Sequence, residues 1–167
     1  MANTKENLES AFAGESQANR KYLFFSEKAD AAGNTQIARL FRAAAEAETV
    51  HARNHLTVLG EIKSDAENLE AAVGGENYEF TEMYPAFIEQ AKSEGNKKAE
   101  NSFDMANKVE QVHHQLFRAA LKDLEASKIF KDEPYYVCQI CGNTVAGDAP
   151  DRCPICGAPR SKFKRVD

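Results

Sequence analysis

Two short motifs in this chain have the residue types and spacing of metal ligands. Glu48-x-x-His51 and Glu110-x-x-His113 each set a carboxylate three residues ahead of an imidazole. On a helix those positions are neighbours on one face. Each motif belongs to a larger duplication. Residues 6–15, ENLESAFAGE, return as residues 67–76, ENLEAAVGGE, and Tyr22, Phe25, Gly33, Asn34, Phe41, Glu48 and His51 return as Tyr84, Phe87, Gly95, Asn96, Phe103, Glu110 and His113. Each copy also carries an earlier glutamate behind a glycine, Glu15 after Gly14 and Glu76 after Gly75. One Glu and one Glu-x-x-His from each half is the ligand set of a carboxylate-bridged two-metal site in a four-helix bundle. Oxygen and nitrogen donors of this kind suit iron or manganese. A solvated helix glutamate is the ordinary alternative for Glu15 or Glu76, but it does not explain why both follow Gly at matching places.

A second metal motif closes the chain. Cys138-x-x-Cys141 and Cys153-x-x-Cys156 hold all four cysteines. In a reducing compartment such pairs are metal thiolates rather than disulfides. Zinc and iron both accept four thiolates; only iron makes the site redox-active. Two metal sites on one short chain point to electron traffic between them.

The elements that must position these groups follow from the 3.6-residue pattern. A first helix is predicted from about Thr4 to Ala32, where Gly33 stops it and Asn34 or Thr35 caps the next. The second ends at Leu59 before Gly60. Ser64 caps a third over about 65–93, stopped by Gly95, and the fourth runs over about 96–127. A 29-residue helix is roughly 43 Å long. The short connections at Gly33 and Gly95 make each copy an antiparallel hairpin. The expected architecture is an all-α four-helix bundle plus a small C-terminal metal-knuckle domain. The expected domains are a bundle over 1–130, a linker over 131–134 and a tetra-cysteine domain over 135–167, which a metal must hold together.

The duplication has a flaw. Its offset is 61 residues up to Glu76 and 62 from Tyr84 onward. One extra residue in a helix is accommodated as a π-bulge, which re-aims nearby side chains. Pro85 lies just beyond and lacks an N–H. Glu79 sits inside this stretch, has no mate in the first copy, and is expected to be an additional carboxylate ligand. Tyr22 and Tyr84 are repeat mates placed to hydrogen-bond ligand carboxylates; plain core aromatics are the alternative. His55 and His114 fall outside the duplication and are read as surface or supporting residues.

Composition excludes other classes. Lys and Arg number 21 against 26 Asp and Glu, for a net charge of −5, so no nucleic-acid footprint is indicated. No run of about 18 apolar residues exists, so no membrane span is expected. The polar start MANTKENLES lacks a signal peptide's apolar core, giving a cytoplasmic expectation.

GES-x-x-x-x-x-Y at 14–22, EAETVH at 46–51, GENYEFTEMYP at 75–85, VEQVH at 109–113 and the cysteine knuckles, in that order, resemble the rubrerythrin family over nearly the whole chain. Tyr135-Tyr136-Val137 and the ending CPICGAPRSKF resemble a rubredoxin-like iron site. The resemblance implies a ferritin-like bundle with two irons and a rubredoxin-type domain with one iron on Cys138, Cys141, Cys153 and Cys156. It implies a peroxidase that reduces hydrogen peroxide to water. Electrons would come from NAD(P)H through a rubredoxin or a rubredoxin reductase. It implies a head-to-tail homodimer in which one chain's rubredoxin domain serves the other's di-iron site. One iron would move between His51 and Glu79 with oxidation state. The di-iron ligands are then Glu15, Glu48, His51, Glu76, Glu79, Glu110 and His113, with Glu48 and Glu110 bridging. Ferritin-like iron oxidation and storage is the competing function, and the attached cysteine domain argues against it. A structural protein with a zinc ribbon is a third reading, against which the paired Glu-x-x-His motifs stand.

Overall fold

The computed structural model describes residues 2–167. The chain forms two compact units, the first ending at Lys63 and the second spanning Ser64–Asp167.

The first unit is one helical hairpin, α1 (Thr4–Ala31) and α2 (Thr35–Leu59). Asn3 starts α1 with a reciprocal cap: its side chain accepts from the Glu6 N–H at 3.0 Å, and the Glu6 carboxylate accepts from the Asn3 N–H at 2.8 Å. Gly33 ends it at φ 78°, a left-handed conformation that side chains resist, and the Asn34 N–H reaches back to the Ala29 carbonyl at 2.9 Å. Asn34 is the N-cap of α2, although its side chain makes no capping bond. Ala29, Ala38 and Ala45 are buried together with Ser26. Such small side chains let the two backbones approach closely. The Asn19 amide crosses the hairpin, donating to the Ala45 carbonyl at 2.7 Å and to Thr49 Oγ1 at 2.8 Å.

The second unit begins with α3 (Asp65–Tyr78), capped by Ser64 and Glu67 in the same reciprocal way, so the duplication extends to the caps. The helix does not run unbroken to Ser93. It passes through a π-helical turn, Glu79–Met83, and resumes as α4 (Tyr84–Ser93). The Tyr84 N–H bonds the Glu79 carbonyl five residues back, which is how the single extra residue is absorbed. Pro85 follows in the first turn of α4, where a missing N–H costs least. Gly95 at φ 68° repeats the Gly33 stop, and α5 spans Lys97–Glu125, capped by the Asn96 side chain.

The cysteine domain is a three-stranded antiparallel sheet in the order β2–β1–β3, with β1 Tyr135–Cys138, β2 Thr144–Ala146 and β3 Phe163–Val166. Tyr136 pairs with Val145 on one side and Arg165 on the other. Its loop packs on α5: a Cβ built on Gly142 would lie 3.7 Å from Val109 Cγ1, and Val109 is buried. No described helix is long and apolar enough to cross a membrane.

Candidate metal centres

The two Glu-x-x-His motifs do what their spacing predicts. In the first unit, His51 Nδ1 lies 2.8 Å from Glu48 Oε2 and 3.9 Å from Glu15 Oε1. In the second, His113 Nδ1 lies 2.7 Å from Glu110 Oε2 and 3.8 Å from Glu76 Oε1. The duplicated sequence thus folds into duplicated donor triads. Ligands about 2.1 Å from one ion lie roughly 3–4 Å apart, so both triads are near the spacing of a shared cation. An imidazole lone pair and a carboxylate oxygen cannot face each other at 2.7–2.8 Å without a proton or a cation between them. The donor chemistry of each triad therefore fits a metal ion.

Electrostatics in the second unit say the same. Burial, reinforced by the Glu110 charge, a hydrogen bond with Glu110, and Glu79, pushes the Glu76 carboxyl up from 4.5 to about 7. Glu79 is also raised, by burial and by Glu110, while His113 pulls it down. The Tyr84 phenol is raised by burial and then by Glu110, Glu79 and Glu76, so it feels the whole carboxylate cluster. Carboxylates crowded this way ionise together only beside a cation; without one, a member of the cluster keeps its proton.

Glu79 is half-buried and close enough for this interaction, but it does not join the close-packed triad of Glu76, Glu110 and His113. The tyrosines form matched aromatic groups. Tyr22 packs with Phe25 and Phe41 at ring-centroid distances of 6.3 and 6.0 Å, and Tyr84 packs with Phe87 and Phe103, both at 6.3 Å. His114 has a structural place: its Nδ1 lies 3.2 Å from the Val73 carbonyl and its ring meets Phe80 edge-on at 5.4 Å. His55 joins neither triad.

The four cysteines converge. Cys138 Sγ is 3.7 Å from Cys156 Sγ, and Cys141 Sγ is 3.6 Å from Cys153 Sγ. A tetrahedral ion with metal–sulfur bonds of about 2.3 Å needs sulfur–sulfur edges of about 3.8 Å. The knuckles are built alike: the Gly142 N–H bonds the Cys138 carbonyl and the Gly157 N–H bonds the Cys153 carbonyl, both at 2.8 Å. Backbone N–H groups of Asn143, of Ile155 and Cys156, and of Ala158 point at the sulfurs of Cys141, Cys153 and Cys156 respectively. These donors favour thiolates. Burial and neighbouring thiols oppose them and push Cys141 strongly up, a conflict that a bound cation relieves.

One polar contact was not foreseen from the sequence. Thr144, in β2, places its Oγ1 3.0 Å from His113 Nε2. Its 31-residue separation from His113 follows no motif spacing.

Helical carboxylate–imidazole triads with a tetrathiolate knuckle define the class of carboxylate-type metalloproteins with an appended four-cysteine metal domain. Comparison with known proteins narrows this. The Rubrerythrin family profile matches residues 6–121, and the profile described as the rubrerythrin, rubredoxin-like domain matches residues 136–164. Rubrerythrin-2 of Clostridium acetobutylicum is 35% identical, the alignment covering 98% of this chain and 96% of that protein. Nigerythrin of Nitratidesulfovibrio vulgaris is 37% identical over 98% of this chain and 86% of its own length. A solved structure of nigerythrin in a mixed-valence state aligns with a TM-score of 0.59 at 37% identity, covering 99% of this chain and 88% of that one. The chain belongs to the rubrerythrin family. Its fold class is the ferritin-like four-helix bundle with a small rubredoxin-like domain, and its cofactors are a carboxylate–histidine di-iron site and a four-cysteine iron site. Family membership makes it an oxidoreductase of the oxidative-stress class.

Proposed function

We propose that this chain is a non-haem di-iron peroxidase that reduces hydrogen peroxide to water. Electrons come from NAD(P)H through a rubredoxin or a rubredoxin reductase and enter at the cysteine domain. The observation that carries this reading is the pair of matched Glu, Glu, His triads on a chain that also holds a tetrathiolate knuckle. Storage of iron needs the first feature and not the second.

The proposed ligands are Glu15, Glu48, His51, Glu76, Glu79, Glu110 and His113, with Glu48 and Glu110 bridging. Bound iron would supply Lewis acidity and the two electrons for O–O cleavage. The chain's own groups do the rest. Glu76 and His113 line an open cleft of about 510 Å³, which gives a small substrate access to that triad. The Tyr84 phenol feels the same carboxylates and is placed to hold a proton against them. Glu79, carried on the π-turn next to its cluster, is the carboxylate free to be recruited when the local positive charge rises. His51 is its proposed counterpart: its side chain is 53% exposed, against 27% for His113. An exposed ring moves at lower cost than a packed one.

The reading also includes a cytoplasmic location, a boundary near residues 131–134 between bundle and cysteine domain, and a head-to-tail homodimer. Exposed Leu40, Phe24 and Ile37 give the dimer apolar surface to bury. The test is anaerobic, NADH-driven peroxide turnover with a rubredoxin reductase and metal analysis of the same sample. Iron-loaded protein that oxidises and retains ferrous iron without reductase-dependent peroxide consumption would favour storage instead.

A further inference from the structure

The hydroxyl of Thr144 donates to the Gly142 carbonyl at 3.1 Å. With its single hydroxyl hydrogen on the Gly142 carbonyl, the Thr144 oxygen accepts from His113. In that arrangement His113 Nε2, 3.0 Å away, carries the hydrogen and donates it. That leaves Nδ1, 2.7 Å from Glu110 and 3.8 Å from Glu76, as the ring nitrogen available to a metal. Gly142 directly follows Cys141, and its loop rests on buried Val109 of α5. A continuous chain of bonds thus runs from the cysteine knuckle to the imidazole of the helical triad in the same polypeptide. The first triad has no equivalent: among the described residues, His51 Nε2 has no recorded hydrogen-bond partner.

We propose that Thr144 is a positioning residue that fixes the ring orientation and tautomer of His113, so that the cysteine knuckle supports the helical metal site of its own chain. This rests on the reading of His113 as a metal ligand. Hydrogen-bond partners of ligating histidines commonly alter metal affinity or activity by about 10–100-fold. Here the partner is supplied by a separately metallated domain, so disorder of the knuckle propagates to His113 and leaves His51 untouched.

The test compares wild type, Thr144→Val and Thr144→Ser, each loaded with zinc at both sites so that every state is diamagnetic. Valine keeps the β-branched shape of this strand position and serine keeps the hydroxyl. Imidazole nitrogen–proton spectra of histidine-labelled protein should show His113 Nε2–H as a protected resonance in wild type and Thr144→Ser. Thr144→Val should lose that protection, with His51 unchanged. Competition titration should show about a tenfold loss of zinc affinity at the helical site in Thr144→Val, restored in Thr144→Ser. Thr144→Val with wild-type spectrum and affinity overturns the proposal. So does Thr144→Ser losing as much as Thr144→Val, since packing alone would then account for the contact. If wild-type His113 shows no metal-bound Nδ1, the ligand reading falls and takes this proposal with it; normal wild-type binding with no effect of valine sinks the proposal alone.

Discussion

Glu76 offers a quantitative check on the second triad that needs no iron. With the helical triad metal-free its carboxyl is pushed from 4.5 to about 7 by burial first and then by Glu110. One pKa unit corresponds to about 1.4 kcal/mol, so ionising Glu76 in the fold costs at most about 3–4 kcal/mol. Its side chain is still 20% exposed, and solvent screening reduces this to about 1–2 kcal/mol. The sign follows from proton binding. Below about pH 4.5 both folded and unfolded states are protonated and no penalty exists. Between 4.5 and about 7 the folded state keeps a proton that the unfolded state has lost, so stability falls as pH rises. Above about 7 the penalty is complete. Glu76→Gln removes the titration. Urea denaturation of protein metallated only at the cysteine site should find the variant about 1–2 kcal/mol more stable than wild type at pH 8, and the advantage should vanish near pH 4.5. Saturating zinc should reverse the order at pH 8, because the carboxylate then meets a cation. A stability difference between variant and wild type that does not change with pH would refute the reasoning.

The remaining predictions use other parts of the chain. Cys138→Ser should abolish NADH-linked peroxide turnover yet leave the chemically reduced protein able to consume peroxide once, measured by single-turnover stopped flow; undiminished steady-state turnover would remove the cysteine domain from the electron route. Glu79→Ala should retain most iron at the helical site, since six proposed ligands remain, and slow peroxide turnover about tenfold or more; full activity would leave Glu79 as a bystander on the π-turn. Ala45→Leu inserts bulk where the side chain is 1% exposed and the adjacent carbonyl accepts from Asn19, and should lower stability by about 1–3 kcal/mol in thermal denaturation.

The parts of this architecture that are legible in the sequence are those governed by local arithmetic. Three residues on a helix return to nearly the same face, so Glu48 with His51 and Glu110 with His113 had to meet. Glycine past a helical run ends it, and Gly33 and Gly95 do so with matching backbone angles. A one-residue excess in a helix needs a wider turn, and Glu79–Met83 supplies it. The direction taken by the Glu79 carboxylate is a different matter. No offset encodes it, and here Glu79 stays outside the triad. Thr144 was invisible because its partner lies in another element, joined through a sheet register and a loop contact. Asn107 stands where the first copy has Ala45, and its buried Oδ1 has no hydrogen-bond partner among the described residues; nothing in the structure explains that substitution.

Duplication and divergence act at different depths in this chain. The donor atoms repeat almost identically, with the two histidine–carboxylate distances differing by only 2.8 against 2.7 Å and 3.9 against 3.8 Å. What differs is the ring nitrogen turned away from the carboxylates. His113 gives that nitrogen to Thr144 and is mostly covered, while His51 has no hydrogen bond there among the described residues and is half-exposed. The second copy also holds the one-residue excess, so Glu79 on the π-turn and the Thr144-bonded imidazole lie in the same half of the duplication. The two histidines thus differ in the support their surroundings give them rather than in the donor atoms beside them.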